Sequence, residues 1–130
     1  MSSASSVIGF TDPPAAEHHG SPDPARLQGG KPQHITRPQF ESADGTFLTG
    51  IWESTPGKWR AFTGKDEFCY IVKGHLRLIS DAGDIRTFRT GDSFVIPRGF
   101  EGSWEILEDT IKHYAIRKYS DDSSRCPRCC

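Results

Sequence analysis

The sequence predicts an all-β protein, a single β-barrel of jelly-roll type running from about His34 to Tyr119. Three observations carry that expectation. Short runs rich in β-branched and aromatic residues recur from Phe40 to Tyr119, Gly, Pro and Asp punctuate them at short intervals, and no helical period competes.

Residues 1–33 (ending in TDPPAAEHHGSPDPARLQGGKPQ) are rich in Ser, Pro, Ala, Gly and His and offer little to a core. They read as a flexible segment or as an arm lying on another surface, a dimer partner's included. Within the barrel segment, 34–119, the expected strands are 47–55, 58–62, 68–72, 76–80, 85–88, 93–96, 102–107 and 111–118. Between them stand Pro56-Gly57, Gly64-Lys65-Asp66, Lys73-Gly74, Asp81-Ala82-Gly83-Asp84, Thr90-Gly91-Asp92, Pro97-Arg98-Gly99 and Glu108-Asp109. Glycine supplies positive φ in such turns, and aspartate bonds nearby amides. Residues 120–130 (SDDSSRCPRCC) form a polar, cysteine-containing tail outside the barrel.

With 16 Lys and Arg against 17 Asp and Glu, no strong field draws the chain to nucleic acid or an anionic membrane. The start, MSSASSVIGF, lacks the basic and apolar parts of a secretory signal, and no apolar run is long enough to span a bilayer. A cytoplasmic protein is expected. Of four cysteines, Cys69 lies in an apolar run while Cys126, Cys129 and Cys130 crowd the end, a spacing that staples no small fold. One C-x-x-C pair, Cys126 with Cys129, suggests only adventitious metal binding or oxidation.

Two segments, EFCYIVKG (Glu67–Gly74) and GDSFVIPRG (Gly91–Gly99), resemble the paired motifs of the cupin superfamily. Together with WESTPG, DEFCYI, GDSFVIPRGF and GSWE, they make the stretch from Gly50 to Arg117 similar to the small single-domain cupins grouped with ureidoglycine aminohydrolase-like and ethanolamine-utilisation cupins, of RmlC-like fold. In a metal-bearing cupin an H-x-H precedes the motif glutamate and a further histidine follows the second motif. Here those positions fall within Arg60-Ala61-Phe62 and at Gly102. Glu67 alone remains of that ligand set, so the expectation is no barrel metal and no cofactor.

Side chains alternate along a strand, so a phase anchored at Glu67 turns Cys69 and Ile71 inward and Phe68, Tyr70 and Val72 outward. Anchoring at Gly102 turns Trp104 and Ile106 inward. Counting back four spacers from Glu67 makes Arg60 and Phe62 the inward pair; three spacers make it Ala61 and Thr63. On the four-spacer register Arg60 would compensate the Glu67 carboxylate. The candidate chemistry is then Glu67 as acid or base, Arg60 as anion clamp and Cys69 as a buried residue or a nucleophile activated by Arg60 or Lys112. Trp52, Phe62, Trp104 and Tyr114 are the expected pocket walls.

The expected function is to bind a small polar metabolite in the barrel without a histidine metal site. The alternatives are a small-molecule enzyme similar to ureidoglycine aminohydrolase or the ethanolamine-utilisation cupins, with Glu67 as acid or base, and a filled structural barrel. The outward set Phe68, Tyr70 and Val72 suggests a homodimer.

Overall fold

A computed structural model describes residues 6–119, and every described element is a strand. They are β1 (His18–Gly20), β2 (Leu27–Gly30), β3 (His34–Glu41), β4 (Phe47–Ser54), β5 (Gly57–Phe62), β6 (Asp66–Ser80), β7 (Ile85–Arg89), β8 (Ser93–Ile96) and β9 (Glu101–Arg117). Strands β6 and β9 are the spine of a curled antiparallel sheet. They pair along most of their length, and each changes its other neighbour halfway. The first half of β6 pairs β8 and its second half pairs β7; the first half of β9 pairs β5 and its second half pairs β4.

The middle of this spine corrects two sequence expectations. Lys73-Gly74 and Glu108-Asp109 are not turns between strands; they lie inside β6 and β9, opposite each other, where the register shifts repeatedly. A bulge adds a residue to one strand and bends it. In β6 the buried positions are Glu67, Cys69 and Ile71 before the bulge and Gly74, Leu76 and Leu78 after it, so the inward phase changes from odd to even. Gly74 makes this possible with φ +134°, a conformation that side-chain-bearing residues avoid. It also leaves no room, since a Cβ there would lie 2.3 Å from Thr110 Oγ1. Thr110 is wholly buried, accepts from the His75 amide and donates to the Glu108 carbonyl, which supplies partners where the ladder is broken.

The core follows from these phases. Trp59, Ala61, Cys69, Ile71, Leu76, Leu78, Ile96, Trp104 and Ile106 form one buried cluster, with Trp52, Phe88, Phe94 and Phe100 packed against it. The segment before β3 lies as an arm on the same chain's barrel. Its β1 extends the sheet beside β3, its β2 pairs the edge of β5, and the Gln39 amide bonds the carbonyls of Phe10 and Asp12. Covering two edges in this way removes unpaired backbone groups that would otherwise template association. The cysteines of the tail, Cys126, Cys129 and Cys130, lie outside the described residues. No helix among the described residues is long and apolar enough to cross a membrane.

Gly74→Ala is expected to lower stability by about 2–3 kcal/mol, as forced overpacking does, and clearly more than Gly83→Ala. Gly83 also has positive φ, but nothing stands within 4 Å of a Cβ there. Chemical denaturation of the two variants measures the difference.

Candidate functional site

Alternation on the spine brings chemistry to one end of the barrel interior. In β6 it turns Glu67 and Cys69 inward, and in β9 it turns Lys112, Tyr114 and Ile116 inward, with Cys69 opposite Tyr114 and Ile71 opposite Lys112. Lys112 Nζ lies 2.7 Å from Glu67 Oε2, and the two side chains are 5% and 2% exposed. A buried ammonium and carboxylate this close compensate each other; either alone would carry a heavy desolvation cost. The ammonium also lies over the Trp104 ring (4.3 Å to its centroid) and the Trp52 ring (4.6 Å), so the indole faces add cation–π attraction. Trp59 stacks parallel to Trp104, and the His34 ring packs against both Trp52 and Trp59.

A cavity of about 280 Å³ opens above this pair. Its wall includes Trp52, Trp59, Trp104, Glu67, Lys112 and Tyr114, and the arm's His18–Ser21 stretch lies at its mouth. Gly50, paired with Tyr114, keeps the space for that ring, since a Cβ there would lie 2.4 Å from the phenol oxygen. Three buried polar atoms of the wall residues have no hydrogen-bond partner: Glu67 Oε1, His34 Nε2 and Trp104 Nε1. Burial, together with the Lys112 charge, pushes the His34 imidazole down to about 4, so it is neutral near pH 7. Burial pushes the Tyr114 phenol up. Burial also pushes the Cys69 thiol up, and its Sγ donates to Glu67 Oε2 at 3.4 Å, so it is held protonated rather than poised as a nucleophile.

Arg60 and Phe62 are elsewhere. The buried positions of β5 are Trp59 and Ala61, with Thr63 buried just beyond, so the three-spacer register holds and the four-spacer pairing of Arg60 with Glu67 is overturned. Arg60 faces outward and forms a two-pronged bond to Asp81 (2.6 and 2.7 Å), with Glu101 at 3.6 Å. Phe62 lies on the same outer side beneath the Arg26 guanidinium, 4.6 Å from its ring centroid. Trp52, Trp104 and Tyr114 do stand on the cavity wall, joined by Trp59, His34 and Lys112. The signal for Lys112 was its alternation with Tyr114 and Ile116 and the need of a buried Glu67 for a cation. His34 carried no comparable signal, because its place depends on the pairing of β3 with β4.

Glu67 is already engaged by an ammonium, and the buried residues just before it are Ala61 and Thr63, neither of which carries an imidazole. Gly102 also has no space for a side chain, as a Cβ would lie 2.1 Å from the Ile79 carbonyl oxygen. Among the described residues no three His, Cys, Asp or Glu side chains gather in a way that could hold a metal ion.

Comparison with known proteins agrees with this fold. Residues 41–114 match the family model of the EutQ-like cupin domain. A Pseudomonas syringae protein of unknown function from the DUF861 family superposes with a TM-score of 0.68 at 24% identity, over 86% of this chain and 45% of its own. The chain therefore spans less than half the length of that structure. The Clostridium difficile EutQ protein gives 0.62 at 19% identity, over 72% of this chain and 69% of its own. A putative ethanolamine utilization protein from Salmonella typhimurium gives 0.59 at 16% identity, over 65% and 68%. These likenesses show the fold. No curated protein sequence matches the chain.

Either Lys112→Met or Glu67→Gln alone is expected to cost about 3–5 kcal/mol by stranding one buried partner, and the double variant should recover much of the loss. Equilibrium unfolding in urea gives the cycle. Arg60→Ala, at a solvent-exposed pair, should be minor beside either.

Proposed function

The chain belongs to the EutQ-like cupin family, and from that premise we propose that its barrel binds a small polar metabolite without a histidine metal site. The observation that carries this reading is the cavity over the Glu67–Lys112 pair, whose wall residues hold three buried polar atoms without partners. Leaving such atoms unpaired costs free energy, and a ligand that supplies their partners recovers it. That this space stands open beside a buried ion pair favours binding over a filled structural barrel.

An enzyme similar to ureidoglycine aminohydrolase or the ethanolamine-utilisation cupins is the alternative. There Glu67 would move a proton through Oε1, the oxygen that Lys112 does not engage. Binding is preferred because the nearest groups, a protonated thiol and an ion-paired ammonium, offer no activated nucleophile.

We also propose a homodimer through the outer face of β6. Phe68, Tyr70 and Val72 are 46, 41 and 37% exposed, and Val95 beside Phe68 is 60% exposed. The arm covers only part of this face, where Phe10 packs on His113. An apolar area continuous across two paired strands suits a second copy of the same chain.

The chain's three tryptophans all stand on the cavity wall, so their indole N–H resonances report on that space. Screening a library of small polar metabolites by these resonances is expected to give saturable shifts that are lost in Trp104→Ala. A library-wide lack of response would overturn the binding reading. Light scattering at micromolar concentration should give the mass of a dimer, and Phe68→Glu with Tyr70→Glu the mass of a monomer; a monomeric parent protein would refute the dimer.

A further inference from the structure

Charge accounting inside the cavity narrows what it can hold. Glu67 and Lys112 are the acidic and basic residues on its described wall apart from histidines, and they neutralise each other at 2.7 Å. His34 is neutral near pH 7, because burial and the Lys112 ammonium both oppose a second cation. His18 and His19 stand exposed at the mouth, where His19 leans on Glu17 at 2.7 Å, and so belong to the solvated rim. The interior therefore presents no net charge, although it is strongly polar. An anion entering it would compete with Glu67 for Lys112, and a cation would compete with Lys112 for Glu67. Either entry loosens a pair that burial makes costly to break, so a net charge on the ligand is penalised twice, by its own desolvation and by the displaced partner.

The partnerless atoms set the complementary requirement. Glu67 Oε1 can only accept, the Trp104 indole N–H can only donate, and neutral His34 can do either through Nε2 according to its tautomer. A ligand that satisfies them carries a donor and an acceptor together. Its size is bounded too: about 280 Å³ lies below the roughly 300–1,000 Å³ typical for drug-sized ligands. The three indoles and the Tyr114 ring supply flat apolar walls for the remainder of such a molecule.

Building on the binding reading, we propose that the cavity selects small uncharged molecules that bear both a hydrogen-bond donor and an acceptor, and that the Glu67–Lys112 pair rejects their ionic counterparts. The selectivity resides in the pair's neutrality. Removing the charge of one member leaves the other uncompensated and turns the same cavity toward an ion of the opposite sign.

The test uses the full chain at neutral pH and three probes of matched heavy-atom count: propionamide, propionate and n-butylammonium. Titrating each against the indole N–H resonances should give propionamide at least about tenfold tighter binding than either ion, a difference of about 1.4 kcal/mol. Glu67→Gln should move the order toward propionate, and Lys112→Gln toward n-butylammonium, each by a similar factor. Equal or tighter binding of either ion by the parent protein would overturn the proposed selectivity while leaving the cavity a binding site. A lack of response to all three probes, up to their solubility, would overturn the selectivity, while the binding reading falls only if the metabolite library also gives no response. Because the parent protein alone decides between these outcomes, a variant that fails to fold does not weaken the test.

Discussion

The pairing of β6 with β9, bent in the middle, is the constraint on which the remaining structure depends. A flat pair of strands this long would present one continuous face; the opposed irregularities at Lys73-Gly74 and Glu108-Asp109 divide it into two halves that meet at an angle. Each half takes a different neighbour on each side, and the curled sheet follows. The bend depends on Gly74, whose missing side chain lets Thr110 approach and whose φ is open to glycine. Thr110 then restores hydrogen bonds to a stretch that the ladder cannot serve.

The candidate site is a consequence of the same bend. Upstream of it, odd positions of β6 face inward and bring Glu67 into the interior; beyond the irregularity in β9, even positions do so and bring Lys112. The two strands carry opposite charges to one enclosed point, where indole faces surround the ammonium. Lys112 supplies the positive charge at Glu67. The barrel keeps a polar interior, and recognition of a small molecule is the function proposed from this geometry.

The arm adds a second layer. Its residues bury little of their own, but β1 and β2 satisfy two edges of the barrel, and the His18–Ser21 stretch forms part of the cavity mouth. Arg37 of β3 bonds both Glu17 of the arm and Glu53 of β4, which fixes the arm beside the opening. Access to the site is therefore bounded by a segment whose composition carries no core signal.

Much of this was legible in the residues alone. The all-β class came from recurring β-rich runs, and the cupin motifs around Glu67 and Gly91 identified the barrel. Strand parity assigned Cys69, Ile71, Trp104 and Ile106 to the interior and Phe68, Tyr70 and Val72 to the exterior, because alternation is a local property that needs only an anchor. What parity could not supply was the count of residues across an irregular connection. The spacing before Glu67 decided between Arg60 with Phe62 and Ala61 with Thr63, and one residue of slippage exchanges the two faces of a strand. The same limit hid the phase change at Gly74, where a glycine that reads as a turn is a bulge inside a longer strand. The identity of Glu67's partner was decided only by tertiary structure. Glu67 and Lys112 are far apart in sequence, and which cation meets a buried carboxylate depends on the register between two strands, a quantity set by the closing of the sheet and not by any local pattern.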